Sequence, residues 1–180
     1  AAERGPGAAR VSHGGAHPTI QIPSECIFLG SGFDVEVCHN DHRLTRQFGQ
    51  NFLVDPDVIR GIVDDVDPLP GGTVIEIGPG AAALTEPLCE RAGRVVAIEI
   101  DPKWAEKLPR KVGAGANLVV VNRDALLVDL DPWLEPDPGS EKPALCGNLP
   151  YNRASAILVR FLPLIGRFRH FVFMVQWEVA

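Results

Sequence analysis

Thr73-Val74-Ile75-Glu76-Ile77-Gly78-Pro79-Gly80 is the stretch on which the fold turns. A short run of β-branched and apolar residues, closed by two glycines around a proline, reads as a buried strand that ends in a tight turn. Ala82 to Arg91 then reads as a helix with Leu84 and Leu88 on one face. Glycine at such a turn lets the backbone approach a ligand closely and adopt unusual dihedral angles. Gly78-x-Gly80-x-x-Ala83 fits the dinucleotide fingerprint G-x-G-x-x-A, and Glu99 follows Gly78 by 21 residues, where a ribose-binding acid belongs. The loop therefore points to an adenosine-containing cofactor. By itself it leaves NAD and S-adenosylmethionine both open.

The same texture extends to either side. Upstream, Asp55-Pro56-Asp57 opens a helix, with Asp55 as its cap and Pro56 in the first helical position. Val58, Ile59, Ile62, Val63 and Val66 recur at helical spacing until Pro68, Pro70, Gly71 and Gly72 end it. Downstream, strands are expected at Arg94 to Ile100, Asn117 to Val121, Ala144 to Gly147 and His170 to Val175. Helices are expected at Pro102 to Lys111, cut by Pro109, and at Ala154 to Leu162, with a Pro- and acid-rich loop over 131–143. Strands alternating with helices imply an α/β fold, a mostly parallel sheet covered on both faces. Ligands of such sheets bind at the carboxyl ends of the strands. Gly78, Glu99, Asp124 and Asn148 all fall just past strand ends.

Each of these positions suits a distinct task. Glu99 can accept hydrogen bonds from two ribose hydroxyls, because a carboxylate is acceptor-only. Asp124 can accept from the exocyclic amine of an adenine. Alone, either acid reads as a solvated loop carboxylate; the repeated strand-end placement reverses that. Asn148-Leu149-Pro150-Tyr151 follows the fourth strand and matches the needs of amino methylation. The N6 lone pair of adenine is delocalised into the ring. An Asn oxygen and a nearby backbone carbonyl that accept the amino hydrogens localise it and aim it. Pro150 stiffens the turn, and Tyr151 offers a face on which an extruded base can stack. Upstream, Gln47 to Leu53 carries amides that could lid a cofactor, though such a segment is more often a packed loop.

Bulk properties narrow the class. The chain has 180 residues, 46% of them hydrophobic, which suits one domain with its own core. No apolar run is long enough to span a bilayer and no charged-then-apolar leader opens the chain, so a soluble cytoplasmic protein is expected. Cys26, Cys38, Cys89 and Cys146 show no disulfide framework. Cys26, Cys38, His39 and His42 lack zinc-finger spacing, so no metal is expected. The net charge of -6 argues against nucleic acid, but residues 141–180 carry five basic against two acidic side chains. Residues 1–42 are expected to be a flexible or unassigned arm, and 43–180 the cofactor-binding domain.

Taken in order, Phe48-Gly49-Gln50-Asn51-Phe52-Leu53, Ile75 to Gly80, Leu84-Thr85, Ala97 to Asp101, Asp124-Ala125, Gly147 to Asn152, Met174-Val175-Gln176 and Glu178-Val179 make a set. This set resembles the KsgA/RsmA family of small-subunit rRNA adenine N6-dimethyltransferases. The resemblance implies a Rossmann-like methyltransferase fold with S-adenosylmethionine as donor. It implies as substrate two adjacent adenines in the 3′-terminal hairpin loop of small-subunit rRNA, met on the immature small ribosomal subunit by a monomeric enzyme. Asn51, Leu53, Gly78, Glu99, Asp124 and Asn148 would contact the cofactor, with Gly80 in the same glycine loop, and Asn148 and Tyr151 would address the target base. Related Erm enzymes methylate large-subunit rRNA but usually carry Ile where Leu149 stands; a mitochondrial homologue also fits. Family members continue past Ala180 into further strands and an rRNA-binding helical domain, and Trp177 replaces a usual Lys. A chain ending here is expected to lack that domain and to expose a sheet edge. A non-catalytic truncated module and an NAD-dependent oxidoreductase are the readings from other classes.

Overall fold

A computed structural model describes residues 25–29, 35–39, 45–47, 50–113, 117–135 and 141–175, with the backbone alone up to Phe52 and at Tyr151. Two short antiparallel pairs come first: β1 (Glu25–Leu29) with β2 (Val35–His39), and β3 (Thr45–Gln47) with β4 (Gln50–Phe52). The chain then runs α1 (Pro56–Val66), β5 (Thr73–Ile77), α2 (Thr85–Arg91), β6 (Arg94–Glu99), α3 (Pro102–Val112), β7 (Leu118–Asn122), α4 (Asp131–Leu134), β8 (Ala144–Asn148), α5 (Tyr151–Phe161), a 3-10 turn (Leu162–Arg167) and β9 (Phe171–Met174). The main sheet has seven strands in the order β2-β1-β9-β8-β5-β6-β7. The five from β9 to β7 are parallel, and these are the five strands expected from the sequence. Among the described residues no helix is long and apolar enough to cross a membrane.

Alternation along each strand decides which helix covers which face. Ile75, Ile77, Val96, Ile98, Leu145, Phe171 and Phe173 point to one side, where Ala154, Ile157 and Phe161 of α5 close the core. Val74, Val95, Ala144, Cys146 and Val172 point to the other, against Val58, Ile62, Val63 and Val66 of α1 and Leu88 of α2. Leu108 of α3 packs there too, on Ala82 and Ala97. Continuous apolar strands of this kind fit a sheet buried on both faces. α1 begins as its sequence dictates: the Asp55 carboxylate accepts the N–H groups of Asp57 and Val58, and Pro56 fills the first turn.

Four local readings differ. α2 starts at Thr85 instead of Ala82, because Ala82 is left-handed (φ 71°) and cannot belong to a right-handed helix. α3 runs through Pro109 to Val112. Proline's fixed φ is helical, and so near the end it forfeits a single backbone bond. The loop over 131–143 includes the one-turn α4. Gln50 to Phe52, read as loop, pairs with β3. The edge expected after the fifth strand is covered by β1, which runs antiparallel along β9 from Cys26↔Met174 to Leu29↔Phe171.

β5 and β8 are neighbours in space but separated by two further strands in sequence, which makes their junction the point where strand order reverses. Their carboxyl ends approach closely. A Cβ on Gly147 would stand 2.5 Å from the Ile77 carbonyl oxygen and 3.2 Å from the Phe173 ring. Backbone cannot yield as a flexible side chain does. Gly147→Ala is expected to lower stability by about 2–3 kcal/mol, read as a fall in the urea midpoint. An unchanged midpoint would show that the two strands can part without cost.

Candidate functional site

The chain ends of β5 and β8 face one another. Gly78 leaves β5 with φ 69°, and its N–H bonds to the Ile98 carbonyl at 2.9 Å. A Cβ built on Gly78 would lie 3.8 Å from the Asn148 carbonyl oxygen, so the glycine loop and the tetrapeptide border the same crevice. Gly80 (φ 49°) turns its N–H onto Glu99 Oε2 at 3.0 Å, while Asp101 donates its N–H to Oε1 at 2.9 Å. Glu99 is buried, and these two bonds fix it against the glycine turn. Each oxygen keeps one acceptor position.

One strand over, Asn122 Nδ2 and the Arg123 N–H donate to the Glu99 carbonyl at 2.7 and 3.0 Å, which carries the chain towards Asp124. Asp124 Oδ1 accepts the Leu126 N–H, and Oδ2 accepts Arg153 Nη1, both at 2.9 Å. The Leu126 N–H chiefly, opposed by partial desolvation and joined by Arg153, holds the Asp124 carboxyl below the ordinary carboxylate range. It is therefore an ionised acceptor at neutral pH.

Asn148 closes β8. Leu149 donates its N–H to the Met174 carbonyl at 3.0 Å and buries its side chain in the α5-side core. It anchors the tetrapeptide, with its side chain 5% exposed. Pro150 is exposed and extended, and its carbonyl receives the N–H groups of Arg153 and Ala154 at 3.0 Å, which starts α5. Leu53 is buried beside α1 in the opposite core. The side chains of Asn51 and Tyr151 lie outside the described residues, as does Trp177.

Four contributors escape sequence reasoning. Ile100, directly after Glu99, leaves 53% of its surface exposed just past the carboxyl end of β6. Ala82 is the third left-handed residue of the loop, and nothing in an alanine announces that conformation. Arg153 finds Asp124 across the fold. Glu76, read as part of the glycine motif, points under α2 and is fully buried. Glu76 Oε2 and Thr85 Oγ1 both lack a hydrogen-bond partner of normal geometry. Burial first, then the nearby Glu99, pushes the Glu76 carboxyl up to about 8, with the Thr85 hydroxyl easing the rise. The same carboxyl adds to the burial that pushes the Cys89 thiol up to about 11 and raises that of Cys146. Two acceptor acids at adjacent strand ends, an exposed apolar side chain beside one of them and left-handed glycines at the turn fit a nucleoside-bearing cofactor: acceptors for hydroxyls and an amine, and open backbone for close approach.

A family model described as "Ribosomal RNA adenine dimethylase" matches residues 41–180. The chain is 41% identical over 142 residues to Ribosomal RNA small subunit methyltransferase A of Idiomarina loihiensis, covering 79% of this chain and 48% of that protein. The protein of the same name from Cupriavidus metallidurans is 42% identical over 142 residues, covering 79% and 49%. The chain thus spans about half the length of the curated relatives it matches. Among solved structures, the 23S rRNA methyltransferase ErmE superposes with a TM-score of 0.52 at 38% identity, covering 62% of this chain and 43% of that one. A dimethyladenosine transferase from Plasmodium falciparum gives 0.56 at 24% identity, covering 71% and 43%, a likeness of fold.

Glu76 makes stability depend on pH in a defined direction. Its carboxyl rises from 4.5 to about 8 in the folded protein, so the folded state keeps a proton that the unfolded chain releases above 4.5. The associated stability is complete below pH 4.5 and is lost as pH rises through about 8. Glu76→Gln, which keeps the shape without the charge, should flatten the fall in melting temperature between pH 6 and 9 and melt higher than wild type at the alkaline end. Parallel melting curves for the two proteins across that range would refute this.

Proposed function

The chain belongs to the ribosomal RNA adenine dimethylase family, and from that membership we propose that it is the methyl-transferring part of an rRNA adenine N6-dimethyltransferase that uses S-adenosylmethionine. The observation that carries the reading is the meeting of the Gly78 turn and the Asn148 tetrapeptide at the carboxyl ends of adjacent strands. One serves a nucleoside cofactor and the other an amino group to be methylated, and a transfer needs both within reach. The names of the relatives support small-subunit rRNA as the substrate class. We take the target to be two adjacent adenines of the 3′-terminal hairpin loop, reached on the immature small subunit by a monomeric cytoplasmic protein.

S-adenosylmethionine supplies an electrophilic methyl group on a positively charged sulfur. The protein's own residues do the rest. Glu99 accepts the ribose hydroxyls on the lone pairs left by Gly80 and Asp101. Asp124 accepts the cofactor's adenine amine, and Ile100 gives that ring an apolar surface. Asn51, Leu53, Gly78 and Gly80 complete the cofactor's surroundings. Asn148 accepts an amino hydrogen of the target adenine, which draws the N6 lone pair out of conjugation and turns it towards the methyl group. Pro150 holds that acceptor in place, Leu149 anchors the turn, and Tyr151 stacks on the extruded base. Positioning supplies most of the rate, because the electrophile is already activated.

The reading is tested by incubating the protein with methyl-labelled S-adenosylmethionine and small ribosomal subunits that lack the modification. Label is expected as N6,N6-dimethyladenine near the 3′ end of the small-subunit rRNA, located by mass spectrometry. Label confined to large-subunit rRNA, or none, would overturn it. Asn148→Ala is expected to cut transfer by ~100-fold or more, while binding of S-adenosylhomocysteine weakens by less than ~10-fold. Equal turnover in the variant would remove Asn148 from the chemistry.

A further inference from the structure

The guanidinium of Arg153 joins the segment after β7 to the helix that follows the tetrapeptide. It stands in the first turn of α5, immediately beyond the tetrapeptide. Its Nη1 reaches Asp124 Oδ2 at 2.9 Å, with the arginine side chain 43% exposed and the aspartate 23%. The Asp124 backbone carbonyl meanwhile accepts the N–H groups of Leu127 and Val128, so the residue is held through both main chain and side chain. Further along the same helix, Arg160 Nη2 donates to the Val128 carbonyl at 3.4 Å. Positions seven apart share a helix face, so the two arginines tie α5 to the turn that carries Asp124.

We propose that Arg153 is a positioning residue: it fixes the Asp124 carboxylate for recognition of the cofactor's adenine amino group, and it links that recognition to the segment presenting Asn148. The proposal rests on the reading of Asp124 as the adenine acceptor. The Leu126 N–H grips one carboxylate oxygen. A single grip leaves the carboxylate plane free to swing, because its terminal torsion is broad. The second, charge-assisted bond from Arg153 sets the plane and directs the remaining acceptor position on each oxygen. A carboxylate so fixed welcomes an amino group and opposes a carbonyl, since acceptor would face acceptor. Arg153 thus bears on which purine the site accepts, without touching the reacting atoms.

Calorimetric titration of S-adenosylhomocysteine and of its deaminated analogue, with an oxo group at purine position 6, reads this directly. Wild type should prefer the amino compound by ~100-fold. Arg153→Gln should reduce that preference by ~10-fold, chiefly by weakening the amino compound, and Arg153→Lys should fall between. In an Asp124→Asn background, Arg153→Gln should change the ratio no further. A purely structural arginine would weaken both compounds alike and leave the ratio intact, which would overturn the proposal. Equal binding of the two compounds by wild type would instead overturn the reading of Asp124 itself. If the Gln variant does not fold, the Lys variant and the Asp124→Asn pair carry the same comparison.

Discussion

The approach of β8 to β5 at Gly147 and Ile77 is the constraint on which the site depends. With no Cβ between them, two parallel strands meet at their carboxyl ends, and their continuations then part. The chain from β5 passes to the face that α1 and α2 cover, whereas the chain from β8 enters α5 on the opposite face. A crevice opens where they diverge, with Gly78 on one lip and Asn148 on the other. Nothing in either loop could create that opening alone. It follows from strand order and from the absence of one methyl group.

Two buried acids show how differently this architecture treats the same functional group. Glu99 offers each oxygen to a backbone N–H, from Gly80 and from Asp101, and so becomes a structural pin of the glycine turn as well as an acceptor. Glu76, on the neighbouring strand, meets no such donors at Oε2 and retains its proton to about pH 8. Both are buried, and only Glu99 is seen to receive a backbone N–H on each oxygen.

What could be read in the sequence follows a physical boundary. The five parallel strands were legible because each is a short apolar run bracketed by glycine, proline or acid, and because burial on both faces demands such runs. Strand-end placement of Gly78, Glu99, Asp124 and Asn148 followed from the same segments. Properties that belong to pairs distant in sequence were not legible. β1 and β2 take their place through partners such as Met174, and their own residues show no period. The bond from Arg153 to Asp124 joins two helix-and-loop neighbours that only the fold brings together. Ala82 and Pro109 mislead for the opposite reason: propensity favours one local state, and tertiary context or helix position imposes another.

Tyr151 is the single tyrosine in 180 residues, and its backbone opens α5 at the point where the crevice gives way to helix. One aromatic phenol in the whole molecule makes a built-in spectroscopic reporter. A ring-fluorinated tyrosine supplied during expression would give one fluorine resonance, assigned without mutagenesis. Its chemical shift would follow changes in the surroundings of that ring, and its linewidth any exchange between states. The composition of the chain has therefore left the start of α5 observable by itself, against a background of three tryptophans and eight phenylalanines that such a label does not touch.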